Sequence, residues 1–139
     1  IWQDGVWLQP VRKPSSGAAP DWEYPIGTPF LRPAKPWHDG IDAADAFWGP
    51  SIHWNTSLNQ YVMLINRTRD EEFNNEGIYV SFAPRLDDPR GWSAPEKILK
   101  GGGWYPQIAG SEPGSTDKQM GRIGRLFLTG RSSHYIEFR

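Results

Sequence analysis

The sequence predicts an all-β protein, a partial β-propeller of about two and a half four-stranded antiparallel blades. Three observations carry that expectation. Runs rich in β-branched and aromatic residues recur at short intervals, separated by turns of Gly, Pro, Asn and Asp. No run of a dozen residues keeps the apolar period of a helix. Two short segments also repeat: Trp48-Gly-Pro-Ser-Ile52 is echoed by Trp104-Tyr-Pro-Gln-Ile108, and Trp22-Glu-Tyr-Pro25 by Trp92-Ser-Ala-Pro95. A blade that recurs with its opening and closing strands marked is how a propeller looks in sequence.

Residues 1–31 read as an incomplete blade. Trp2, Val6, Trp7, Leu8 and Val11 alternate loosely around a tight-turn signal at Asp4-Gly5. A Pro/Ser/Gly/Ala loop from Lys13 to Pro20 follows. Trp22–Leu31 is then expected as an outermost strand, because Pro25 and Pro29 suit an edge. Residues 32–47 form the connection between blades.

Residues 48–99 are expected to make one complete blade from strands Trp48–Asn55, Gln60–Arg67, Gly77–Ala83 and Trp92–Leu99. A polar turn (Thr56–Asn59), an acidic loop (Thr68–Glu76) and a Pro/Asp/Gly turn (Pro84–Gly91) join them. Residues 100–139 read as a second incomplete blade, with strands Trp104–Ala109, Ile123–Thr129 and His134–Phe138 and no fourth strand. Because it opens inside a strand, the chain reads as a section of a longer fold.

Composition narrows the function classes. A net charge of -1, with both signs mixed along the chain, offers no basic footprint for nucleic acid. No apolar stretch approaches the roughly 20 residues that span a bilayer. With no Cys there are neither disulfides nor thiolate metal sites, and three scattered His make no metal signature. No cofactor is expected, since a phosphate-binding glycine loop is lacking.

In an up-and-down blade successive turns fall on alternate ends, so the connection between blades and the loop joining strands two and three share one end. That end, called here the mouth, collects 33–47, 68–76, 100–103 and 130–133. Asp45, Glu76 and Asp42 are the candidate catalytic carboxylates there, because hydrolysis of a glycosidic bond uses two carboxyl groups across one pocket. Trp48, Trp104 and Tyr105 offer flat faces for sugar rings, and His38 and Arg131 offer hydrogen bonds to hydroxyls or a carboxylate. Structural roles stand beside each of these. An Asp in a Pro/Gly loop is usually a turn former, and Trp48 and Trp104, at equivalent repeat positions, suit blade packing.

Trp48-Gly-Pro-Ser-Ile-His53, running through a hairpin into Gln60-Tyr-Val-Met-Leu64, resembles the opening of a blade in the five-bladed propeller glycosidases. These are the family 43 arabinanases and xylosidases with their invertase and levansucrase relatives. Gly77-Ile-Tyr-Val-Ser-Phe-Ala-Pro-Arg-Leu-Asp-Asp-Pro-Arg-Gly-Trp92-Ser-Ala-Pro95 is similar to their closing segment. The resemblance covers roughly residues 45–100. It implies a five-bladed parent, an axial funnel with carboxylates on different blades, and a secreted or periplasmic setting. Trp48 stands where the family's acid motif carries Glu, so the resemblance implies only part of a catalytic set within this chain. The expected function is thus a section of a glycoside hydrolase acting on an oligo- or polysaccharide by carboxylate acid/base chemistry. The alternative is a non-catalytic propeller that binds carbohydrate or protein through the same aromatic face.

Overall fold

The computed structural model describes residues 1–13, 21–23, 27–31, 45–70 and 72–139. Apart from one 3-10 turn at Pro89–Gly91, its regular elements are strands, so the chain is all-β as expected. It divides into two compact units, Ile1–Phe30 and Leu31–Arg139.

In the first unit, β1 (Trp2–Gln3) and β2 (Val6–Trp7) form a hairpin about Asp4 and Gly5, both at positive φ. This is the two-residue turn that Asp-Gly favours, since its twist matches that of the strands. Next, β3 (Val11–Lys13) pairs antiparallel with β4 (Asp21–Glu23). The outer strand expected over Trp22–Leu31 is therefore shorter on its described residues, and 27–31 are not strand. Gly27, at φ +85°, breaks the extended path there.

In the second unit, β5 (Ala46–Asn55), β6 (Gln60–Thr68), β7 (Asn75–Ala83) and β8 (Glu96–Lys100) form the antiparallel meander that the spacing of apolar runs and turns predicts. The expected fourth strand starts late. Pro95 has no amide hydrogen to give the ladder, and Trp92–Pro95 instead runs beside β7, with the Ser93 amide donating to the Phe82 carbonyl. A second meander follows from β9 (Gln107–Gly110), β11 (Ile123–Leu128) and β12 (Arg131–Glu137), in the order β12-β11-β9. Between β9 and β11, the short β10 (Gln119–Met120) reaches across and pairs parallel with the end of β5. It falls between the expected strands Trp104–Ala109 and Ile123–Thr129, where two residues carry no period of their own.

The two meanders bury a shared core. Val62, Leu64, Ile78 and Val80 from the first meander meet Ile108, Leu126 and Leu128 from the second, with Met120 of β10 and Phe138, just past β12, between them. Alternation places the opposite set of the first sheet, Met63, Ile65 and Tyr79, on its other face, where Leu31, Phe47, Ile52 and Trp92 cover them. The central strands β6 and β7 are thus buried on both faces, which explains their near-continuous apolar runs.

Side-chain amides fasten the seam between the meanders at its two ends. At one end, Asn55 Nδ2 donates to the Gly121 carbonyl at 2.9 Å, while its Oδ1 accepts from the Ser57 and Leu58 amides. At the other, Asn66 Nδ2 donates to the Gly103 carbonyl at 3.1 Å, and Oδ1 accepts from the Tyr105 amide at 2.9 Å. Both asparagines are fully buried, so each group they satisfy is one that would otherwise be costly.

Candidate functional site

The antiparallel registers put the start of β5, the end of β6, the start of β7, the 101–103 loop and the β11–β12 turn at one end of the second unit. Hydrogen bonds knit these segments together. The Gly101 amide donates to the Glu76 carbonyl, Asn75 Nδ2 reaches the carbonyls of Gly101, Gly102 and Gly103, and the Thr129 amide donates to the Trp104 carbonyl.

Asp45 sits just before β5 and is buried. Arg67, on β6, faces it with a two-pronged bond, Nε to Oδ1 and Nη2 to Oδ2, both at 2.8 Å. Arg69 approaches the same carboxylate at 3.9 Å. Hydrogen bonding to Asp45 raises the Arg67 guanidinium above its ordinary pKa, so it stays charged. The guanidinium also lies over the rings of Phe47 and Tyr79, at 5.3 and 5.5 Å from their centroids.

Glu76 lies in β7. It accepts from the Tyr79 hydroxyl at 2.5 Å and forms an ion pair with Lys97. Burial works to raise the Glu76 carboxyl, but the bonds from Lys97 and Tyr79 outweigh it and hold it below the ordinary carboxylate range. Asp45 and Glu76 are thus two ends of one network, Asp45–Arg67–Tyr79–Glu76–Lys97, on the face turned away from the seam. Each has a cation against it, Arg67 on Asp45 and Lys97 on Glu76.

Trp48, Tyr105 and Trp104 occupy the seam side. Gly49 and Tyr105 hold the same place in the repeated segment and both take positive φ, +60° and +54°. Each is followed by proline and, two residues further on, by isoleucine, so the two openings match in backbone as well as in sequence. A Cβ on Gly49 would stand 3.0 Å from Tyr105 Cδ1, so the Tyr105 ring lies against the glycine that follows Trp48. Trp48 is 49% exposed and Tyr105 57%, although both are large and aromatic. Trp104 is partly buried and tied down, its amide donating to Thr129 Oγ1 at 3.0 Å.

Arg131, expected in a loop, is the first residue of β12. Thr129 and Gly130, at φ +51° and +71°, complete the turn in two residues and start the strand early. Arg131 is exposed and stands opposite Leu128, which faces the seam. His38 and Asp42 lie outside the described residues. Among the described residues, no three His, Asp or Glu side chains gather as a metal would require, and no helix is long and apolar enough to cross a membrane.

Sequence reasoning passed over Asn66, Asn75, Arg67 and Thr129, which set this end of the molecule. One signal was present: Asn66 follows the apolar run Val62–Ile65, and asparagine is depleted in strands unless it has a specific bonding task. Comparison with protein-family models, with curated proteins and with solved structures found no match to this chain.

Proposed function

We propose that this chain is a section of a β-propeller that binds carbohydrate at its mouth end, with sugar rings lying on Trp48 and Tyr105. The propeller reading is supported by how the meanders use their faces. Ile52 packs on the Met63/Ile65 face, away from the seam, whereas Ile108, its repeat equivalent, packs into the seam. Met63, opposite Ile52, and Leu126, opposite Ile108, divide the same way. Equivalent faces therefore point the same way round, as in blades stacked about an axis. A two-sheet sandwich would bring equivalent faces together.

The observation that carries the binding reading is the exposure of two aromatic rings from different meanders, one of them on a strained backbone. A bulky residue at positive φ costs on the order of 1 kcal/mol, and such strain persists where surrounding structure holds it for a task. Here Asn66 holds the Tyr105 amide and Gly49 leaves room for the ring.

Glycoside hydrolysis is the narrower reading, favoured by the resemblance of residues 45–100 and by the place of Asp45 at the head of β5. In it, Asp45, at the end of the sheet where a saccharide leaving Trp48 would reach the head of β5, accepts the proton, Glu76 holds the other face through Tyr79 and Lys97, and the proton donor comes from other residues. Titration with arabino- and xylo-oligosaccharides, followed by tryptophan fluorescence, tests the binding. Trp48→Ala and Tyr105→Ala are each expected to weaken it by about fivefold or more, and unchanged affinity in both would overturn the reading. Asp45→Asn separates the narrower claim: a loss of cleavage of about 10²–10⁴-fold marks a proton-transfer role, and cleavage within severalfold of wild type excludes it.

A further inference from the structure

We infer that the mouth carries a subsite for an anionic sugar, in which Arg131 takes the carboxylate of a uronic acid. This rests on the carbohydrate reading above and names the class of saccharide. The site is a cleft of about 490 Å³ between the 101–103 loop and the β11–β12 turn, lined by Gly103, Leu128, Thr129, Arg131, Ser132 and Ser133.

Charge is the first argument. Among the described residues of the second unit, the arginines are otherwise engaged. Arg67 and Arg69 face Asp45, Arg85 faces Asp87, and Arg122 and Arg139 face Glu137. Arg125 bonds Ser132 and lies over the Tyr135 ring, and Arg90 is also engaged. Arg131 alone among them has no partner, and it lines a cleft. A guanidinium presents a planar fork of donors that matches a carboxylate with two parallel bonds.

Construction of the cleft is the second argument. Thr129 is β-branched at φ +51°, a backbone region such residues rarely occupy. It is held there through its hydroxyl, which accepts from the Trp104 amide, while its own amide donates to the Trp104 carbonyl at 2.7 Å. That double tie fixes the turn carrying Arg131 to the segment carrying Tyr105. The floor is closed to side chains, since a Cβ on Gly103 would meet Thr129 Oγ1 at 2.7 Å and Leu128 Cβ at 3.0 Å. The cleft thus offers three hydroxyls and a guanidinium, and its Gly103 lies two residues before Tyr105.

The test compares α-1,4-linked trigalacturonate with α-1,4-linked galactotriose, which differ in bearing a carboxylate or a hydroxymethyl group on C5. Both are titrated into the full chain and into Arg131→Gln, Arg131→Lys and Tyr105→Ala. The acidic trimer is expected to bind more tightly than the neutral one, by about tenfold for a charge-assisted pair, with the preference shrinking as salt rises. Arg131→Gln abolishes the preference by weakening the acidic trimer far more than the neutral one. Arg131→Lys keeps part of it, because the charge remains and the fork is lost. Tyr105→Ala weakens both trimers. A preference unchanged in Arg131→Gln, or tighter binding of the neutral trimer, overturns the anionic subsite while the carbohydrate reading stands. If neither trimer nor any arabino- or xylo-oligosaccharide binds, both readings fall.

Discussion

Thr68 shows how one atom can oppose the fold around it. It ends β6 fully buried, and its hydroxyl has no hydrogen-bond partner among the described residues. An unsatisfied buried hydroxyl costs free energy that a methyl of the same shape does not. Thr68→Val is therefore expected to raise stability by about 1 kcal/mol, read as a higher urea midpoint at unchanged slope. A lower midpoint would show that the hydroxyl has a partner after all. Asn66, two residues earlier, illustrates the opposite case, since its amide satisfies a donor and an acceptor from the other meander. Single residues were the least legible scale in the sequence. Nothing local distinguishes an asparagine that fastens two sheets from one that interrupts a strand, because the partners at Gly103 and Tyr105 are far along the chain.

Strands and hairpins were far more legible. Runs of β-branched and aromatic residues bounded by turn residues placed β5, β6 and β7 to within two residues, as suits strands covered on both faces. The starts of β9 and β12 were misplaced for a common reason: the turns before them bend through a non-glycine residue at positive φ, Tyr105 in one and Thr129, beside Gly130, in the other. Turn signals in a sequence are written in Gly, Asn and Pro, so a strained turn made by other residues leaves no mark. That strain also makes a prediction about β9. Tyr105→Gly should relieve the left-handed backbone while removing an exposed ring. The variant is expected to melt no lower than wild type and yet to lose saccharide affinity. A variant that melts well below wild type would mean that the Tyr105 ring serves packing on Gly49 rather than a ligand.

At the scale of the whole molecule, pH acts through the seam. His53 lies in β5 on the seam face, fully buried and edge-on to Phe138 at 5.8 Å, with neither ring nitrogen hydrogen-bonded among the described residues. Burial lowers its pKa to about 4, whereas an unfolded histidine titrates near 6.5. Between those values the unfolded chain binds a proton that the folded chain refuses, so stability rises with pH across that window and is lost as pH falls through it. The loss over the window is about 3 kcal/mol. His53→Leu is expected to flatten the dependence of the urea midpoint on pH between about 4 and 6.5, and a slope unchanged in that variant would place its origin elsewhere. That the chain is all-β was legible at this scale because it follows from the spacing of the apolar runs and turns. That one core passes between the two meanders is a finding of the structure, since its residues come from segments far apart in the chain. The tie made by β10 was not legible either, since its two residues gain meaning only from the β5 edge they meet.

The pinned amides of Asn55 and Asn66 bear on how such a chain can be made. Both open an Asn-x-Ser/Thr triplet, Asn55-Thr56-Ser57 and Asn66-Arg67-Thr68, the pattern to which N-linked glycans are attached in eukaryotic secretion. In the finished fold neither nitrogen is available, for each is enclosed and donating to a carbonyl across the seam. A glycan added while the chain was still emerging would occupy the amide that must later bridge the two meanders. A host that glycosylates during translation would thus divert the chain before it closed, and one without that machinery would let it close.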